Sequence, residues 1–317
     1  MKLLSASYRY SCLTTMLLCL YSVNNFAAEG GASNYLPGFY GEYAVAVAPD
    51  PGWTYANFNS FSSGKVDRAV LQGRVSLDVE TVSYFNTSAM LYSPEQDVLG
   101  GRFMVAAFIP VGYVGLDTDI VSPINSRSVS IDETGIGDIS LMPFSWYRNT
   151  DNWHFNIYEF VIAPTAPYST TDNLNFSRNY WSFDTVFALT NLNMVTGTEF
   201  SLATGLMVNT ENSDTDYKTG NELHTDGMLN QFFSDTFAMG LHFYYYKQVE
   251  GDSGSGAILG GYKGESYGAG PSLLWVPWAE KPGFGITATW LHDFYASNRL
   301  ETDYALITLA WQFGGEN

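Results

Sequence analysis

Cysteine is almost missing from this chain. Of its 317 residues only Cys12 and Cys19 are cysteines, and both precede residue 20. Everything after them is free of thiols, so disulfide staples and cysteine-based metal sites are excluded there. Charge is scarce too. Asp, Glu, Lys and Arg make up 15% of the chain, against about 25% in an ordinary soluble domain. Cations are scarcest, with 14 Lys and Arg against 32 Asp and Glu and a net charge of −18. That balance argues against nucleic acid as a partner. Histidine is confined to His154, His224, His242 and His292. No H-x-x-x-H pair, Walker loop or nucleophile elbow occurs, and no catalytic residue is assigned. Beyond the first 28 residues no apolar run reaches the roughly 18 residues of a membrane helix.

Aromatics, by contrast, are abundant: 22 Tyr and 21 Phe help bring them to 16%. They recur in stretches where apolar and polar residues alternate. At 305–313 every odd residue (Ala305, Ile307, Leu309, Trp311, Phe313) is apolar, whereas Thr308, Ala310 and Gln312 are small or polar. Alternation over about ten residues, ending on an aromatic near the end of the chain, suits a strand with one face to lipid and one to a lumen. A two-faced strand of a soluble sheet has the same pattern.

The first residues read as an export signal. Lys2 and Arg9 form a positive start, 12–23 an apolar core, and Ala27-Ala28 a small-residue end. Cys19 follows Leu18 rather than a small residue, which argues against a lipid anchor. Loss of residues 1–28 removes two cations and takes the net charge to about −20.

From Trp53 onward the alternating stretches are 53–62, 73–92, 100–116, 135–149, 152–165, 178–193, 197–211, 220–234, 236–249, 260–278, 282–297 and 302–313. An even count of roughly twelve suits a single-chain outer-membrane barrel. The links 149–152, 193–197 and 234–236 read as tight turns, and 116–135, 164–179, 209–221 and 249–262 as long polar loops. With strands running up and down, all the tight turns fall on one side and all the long loops on the other, as in outer-membrane barrels. The Gly/Ser run 252–256 reads as a flexible loop. In 152–165 Phe155 and Ile157 share one face while Phe160 and Ile162 share the other, which predicts a bulge near Tyr158-Glu159.

A charge on a lipid face at mid-membrane costs about 2–4 kcal/mol. Glu199, Glu222, Asp226 and His242 are therefore expected to face the lumen, together with His224, Tyr244 and Tyr246. Such a wall guides aromatic solutes or simply fills a narrow barrel. An acidic lumen disfavours anions. Trp146, Trp153, Trp181, Trp275, Trp278 and Trp311 lie near strand ends and are expected to form interfacial girdles. The acidic clusters 211–216 and 250–252 read as solvated loops, and no metal is assigned.

Residues 29–52 differ in character. They hold Tyr35-Leu36-Pro37-Gly38, the apolar run 44–48 and Pro49-Asp50-Pro51-Gly52. Prolines break strand ladders, so the segment is read as a plug or gate inside the barrel, a first strand and a surface segment being the alternatives.

Short pieces in a fixed order carry a family resemblance. They are Tyr35-Leu36-Pro37-Gly38, Pro49-Asp50-Pro51-Gly52, Leu99-Gly100-Gly101-Arg102, Gly135-Ile136-Gly137-Asp138, Ala163-Pro164-Thr165, Lys218-Thr219-Gly220-Asn221-Glu222, Gly270-Pro271-Ser272 and Asn298-Arg299. In these the chain resembles the outer-membrane proteins of the putative phenol-degradation meta-pathway (MetA-pathway) family of Gram-negative bacteria. Two features depart from the family pattern: Ala166 stands where a glycine is expected, and residues 314–317 run past the last aromatic. The resemblance implies a channel for hydrophobic or aromatic compounds and brings no catalytic residues.

The expectation is thus an all-β transmembrane antiparallel barrel of roughly twelve strands. Its parts are a leader at 1–28, a plug or extension at 29–52, the barrel at 53–313 and a tail at 314–317. The expected function is passive uptake of small hydrophobic or aromatic solutes. The expected surroundings are outer-membrane lipid and lipopolysaccharide, the expected state is a monomer, and no cofactor is expected. A barrel-embedded hydrolase and a plugged structural barrel are the rival readings.

Overall fold

The computed structural model describes residues 33–41, 43–71, 74–122, 125–172, 174–258, 260–261, 263–278 and 283–314. The expected leader, with both cysteines, and most of the tail lie outside them. Every element is a strand: β1 (Gly52–Leu71), β2 (Arg74–Ser93), β3 (Arg102–Ser122), β4 (Asn125–Ile136), β5 (Ser140–Thr150), β6 (Trp153–Ile162), β7 (Ser182–Asn193), β8 (Thr198–Asn209), β9 (Glu222–Ser234), β10 (Phe237–Gln248), β11 (Glu265–Trp278), β12 (Gly283–Ser297) and β13 (Glu301–Phe313).

Neighbours pair antiparallel, and the sheet closes through β1 and β13, from Trp53↔Phe313 to Lys65↔Glu301. Closure removes the open edges that a bilayer cannot satisfy. Thirteen strands make twelve staves because β4 and β5 share one partner. The upper part of β3 pairs with β4 (Val111↔Ile136), and its lower part pairs with β5 (Phe108↔Ser140). The expected loop 116–135 is therefore a correction: much of it is an extension of β3 and β4 into a hairpin. Strands β1 to β3 have 20 or 21 residues, about twice what a tilted membrane strand needs, so they project past the bilayer.

The predicted bulge in β6 is also corrected. Pairing of β6 with β7 runs unbroken from Trp153 to Ile162. The irregularity lies in β5 at Leu141/Phe144, around Pro143. Phe160 and Ile162 point inward because the lumen there is apolar, not wet. They join a buried core with Tyr35, Tyr40, Met104, Phe108 and Tyr158, against which Leu36, Phe39 and Phe58 pack.

The outer face carries the lipid belt, including Ile109, Ile157, Phe187, Leu229, Leu241 and Ile307. Trp53, Trp153, Trp275, Trp278 and Trp311 are exposed toward the short-turn end and Trp181 toward the long-link end. Trp146 is half-buried and donates Nε1–H to the Val98 carbonyl, 2.9 Å away. One patch of the outer face on β1 and β2 is polar. Asn57 and Asn86 exchange amide bonds of 3.0 and 2.9 Å, Asn86 also donates to Asn59, and Tyr84 donates to Asn59. Mutual bonding offsets the cost of amides near lipid.

The long links all emerge at one end of the barrel and are tied down there. Asp138, in the break between β4 and β5, accepts from the Thr165 and Ala166 amides at 2.9 and 3.0 Å. It also accepts from the Ser177 hydroxyl at 3.0 Å and the Arg178 amide at 3.1 Å. Ala166 makes this turn without a positive φ, so glycine is not needed. The expected flexible loop 252–256 is bonded instead: Lys218 and Ser253 exchange backbone bonds of 2.9 and 3.0 Å, and the Gly256 amide donates to Asp216.

Candidate functional site

Residues 33–41 and 43–51 run through the lumen. Their backbone bonds are local, as in Phe39 N–H to the Leu36 carbonyl and Val47 N–H to the Ala44 carbonyl. Their bonds to the wall go through side chains. The Tyr35 hydroxyl and the Gly38 amide donate to Asp226 at 2.7 and 2.8 Å. The Ala44 amide donates to Glu199 at 2.8 Å, the Ala46 amide to Thr190 Oγ1 at 3.2 Å, and Asn34 to Ser182 at 2.7 Å. The segment is held as a guest, not as a stave.

The glycines of this segment permit the fit. Gly38 has φ +88° and faces Leu291 and Leu306, while a Cβ on Gly41 would meet the His242 ring. Pro37 presets the turn before Gly38. Of the four expected gate residues, Tyr35 is buried, Leu36 packs on the core, and Pro37 and Gly38 make the bend that delivers the Gly38 amide to Asp226.

The seven expected lumen residues are all buried on the inward face of β8, β9 and β10. Strand pairing assembles them. Glu222, His224 and Asp226 lie at alternate positions of β9, opposite Gln248, Tyr246 and Tyr244 of β10. His242 Nε2 is 3.0 Å from Asp226 Oδ1. His224 Nε2 is 2.9 Å from both oxygens of Asp184 on β7. Tyr35 stacks on His224 at 4.4 Å and on Tyr246 at 5.7 Å, and Tyr40 lies 4.5 Å from His224. Glu199 holds Ala44 and Ser201. The Tyr244 hydroxyl donates to Asp293. His224 and His242 are thus each paired with a carboxylate and packed by plug residues. Among the described residues no serine hydroxyl bonds to His154 or His224, the histidines of the hydrolase reading, or to His242.

Three buried charged positions were absent from the expected set. Asp184 carries the same mid-strand charge signal as Glu199. Asp138 and Arg299 lie in links, where alternation gives no signal. Arg299 is 7% exposed and sits 4.0 Å over the Tyr246 ring. Burial opposes its charge, but Tyr304, Tyr246, Tyr244 and Asp293 outweigh that and hold the guanidinium above its ordinary range. At the mouth, Asp252 accepts from the Tyr217 hydroxyl at 2.5 Å and the Gly220 amide at 3.1 Å, and from Gln248. Burial still pushes its carboxyl upward.

A family model described as "Putative MetA-pathway of phenol degradation" matches residues 58–309. The chain belongs to this family. Among solved structures the barrel is similar to the COG4313 outer membrane channel from Pseudomonas putida F1, with a TM-score of 0.68 at 15% identity over 88% of this chain and 100% of that one. A Pseudomonas aeruginosa FadL homologue matches at 9% identity over 83% and 90% of the two chains, TM-score 0.42. The translocator domain of the autotransporter NalP from Neisseria meningitidis matches at 9% over 86% and 92%, TM-score 0.43. No curated protein matches the sequence. As a family member with a closed barrel and a lipid-facing outer belt, the chain is an outer-membrane protein.

Proposed function

We propose that this family member is a monomeric outer-membrane channel for passive entry of small hydrophobic or aromatic compounds, gated by residues 33–48. One observation carries the reading. Among the described residues, the segment that runs through the lumen shares no ladder with the wall, so it can leave without unzipping a stave. The family description, with its reference to phenol degradation, and the P. putida neighbour, itself an outer membrane channel, support the reading. Aromatic surfaces on both plug and wall (Tyr35, Tyr40, Tyr244, Tyr246) offer ring faces along the route.

Opening would break the bonds to Asp226, Glu199, Thr190 and Ser182 and expose the stacked rings. Acceptors on the wall would then bond water in the vacated lumen, which keeps the two states within reach of each other. The test is phenol influx into liposomes holding the full protein or a variant lacking 33–48. Influx that rises in the variant supports a gated channel. No influx through either chain favours a plugged structural barrel.

A further inference from the structure

Between residues 33–37 and the inner wall of β1 and β2 lies a cavity of about 310 Å³, at the end where the long links emerge. It falls within the size range of small-molecule sites. Phe85, Phe176 and Tyr304 give it ring surfaces, and the first two rings are 6.0 Å apart at 72°. Serine and threonine hydroxyls of β1 and β2 line its far side.

Its charge runs against the rest of the molecule. The chain carries −18 overall, yet the cavity is lined by two cations, Arg178 and Arg299, and one carboxylate, Asp138. Asp138 is occupied by four donors from the link between β6 and β7. Arg299 is buried, and its Nη1 has no hydrogen-bond partner. Glu222 and Asp293 act on it through their fields, but among the described residues neither comes within ion-pair distance. That Nη1 is shielded from the cavity as well as from solvent, so a ligand would meet only the part of the Arg299 side chain that lines the cavity, and a guanidinium's planar fork matches a carboxylate.

We infer that this cavity binds a small aromatic carboxylate, its ring among Phe85, Phe176 and Tyr304 and its carboxylate on Arg299, with Arg178 adding positive charge. The inference rests on the channel reading and narrows its solute. It also reverses, for this chamber, the anion exclusion expected of an acidic lumen.

The test titrates the full protein in detergent with benzoate and with benzamide, its neutral isostere. Benzoate should bind at least about tenfold more tightly, as a charge-assisted pair gives. Arg299→Met should abolish that preference and leave benzamide binding in place. Heat-modifiable electrophoretic mobility shows whether the variant barrel is folded. If it is not, the benzoate-to-benzamide ratio of the unaltered protein decides the matter alone. Equal affinity for the two probes, or an unchanged preference in folded Arg299→Met, overturns the inference. Phenol influx measured in parallel separates the two readings: influx without benzoate preference sinks only the carboxylate site, whereas no phenol influx through the full protein or the variant lacking 33–48 sinks the channel.

Discussion

Asp226 joins plug to wall. It accepts from Tyr35, Gly38 and His242 within 3.0 Å, all in a setting without solvent. Asp226→Asn keeps the shape but replaces one acceptor oxygen with a donor. Loss of one or two charge-assisted bonds costs about 1.5–3 kcal/mol each. The closed state should weaken accordingly, seen as an open probability at least about tenfold higher in single-channel recordings. An unchanged open probability would detach Asp226 from gating. Gly41→Ala works from the other side, pushing a methyl into the His242 ring. It should raise amide exchange across 33–48 while the exchange of β8 to β10 holds. The sequence made Glu199, Glu222, Asp226 and His242 legible because a charge in an alternating strand has one affordable face. Arg299 and Asp138 were illegible because a link has no such faces, and their roles come from what folds back onto them.

Among the elements, the link between β6 and β7 is fastened near both of its ends by Asp138, beside bonds of Asn179 and Tyr168 to Asn212. Asp138→Ala removes the acceptor for Thr165, Ala166, Ser177 and Arg178. Trypsin should then cut after Arg178 far faster than in the unaltered protein, while the barrel keeps its heat-modifiable mobility. Equal digestion would show that the link is held elsewhere. On the outer face, Asn86→Leu removes the shortest acceptor of the Asn57 amide and one donor each to Asn57 and Asn59. It should lower unfolding stability in urea by about 1–3 kcal/mol, the cost of unmatched polar groups. A neutral or stabilising effect would show that the patch is solvated. The β-period located nearly every stave but missed β4. Its residues 128–132 do alternate, with Val129 and Ile131 half-buried opposite the buried Thr118 and Leu116. The exposed polar residues 132–134 that follow make the stretch read as a loop. Conversely, Phe160 and Ile162 implied a bulge in β6 only on the assumption of a wet lumen, and the plug makes that lumen apolar.

For the whole molecule, closure by β1 and β13 and the side-consistent links were readable from the chain, whereas the course of 33–51 was not. That segment has no period of its own. Its place comes from contacts such as Tyr35 with Asp226 and Phe39 with Phe58, separated widely in sequence. The central claim is that this guest segment closes a pore the barrel would otherwise leave open. Single-channel recording in planar bilayers of the full protein and of a variant lacking 33–48 tests it most directly. The account predicts brief, infrequent openings of the full protein and a larger, steady conductance of the variant. Identical traces from two folded barrels, or a variant that stays closed, would contradict it.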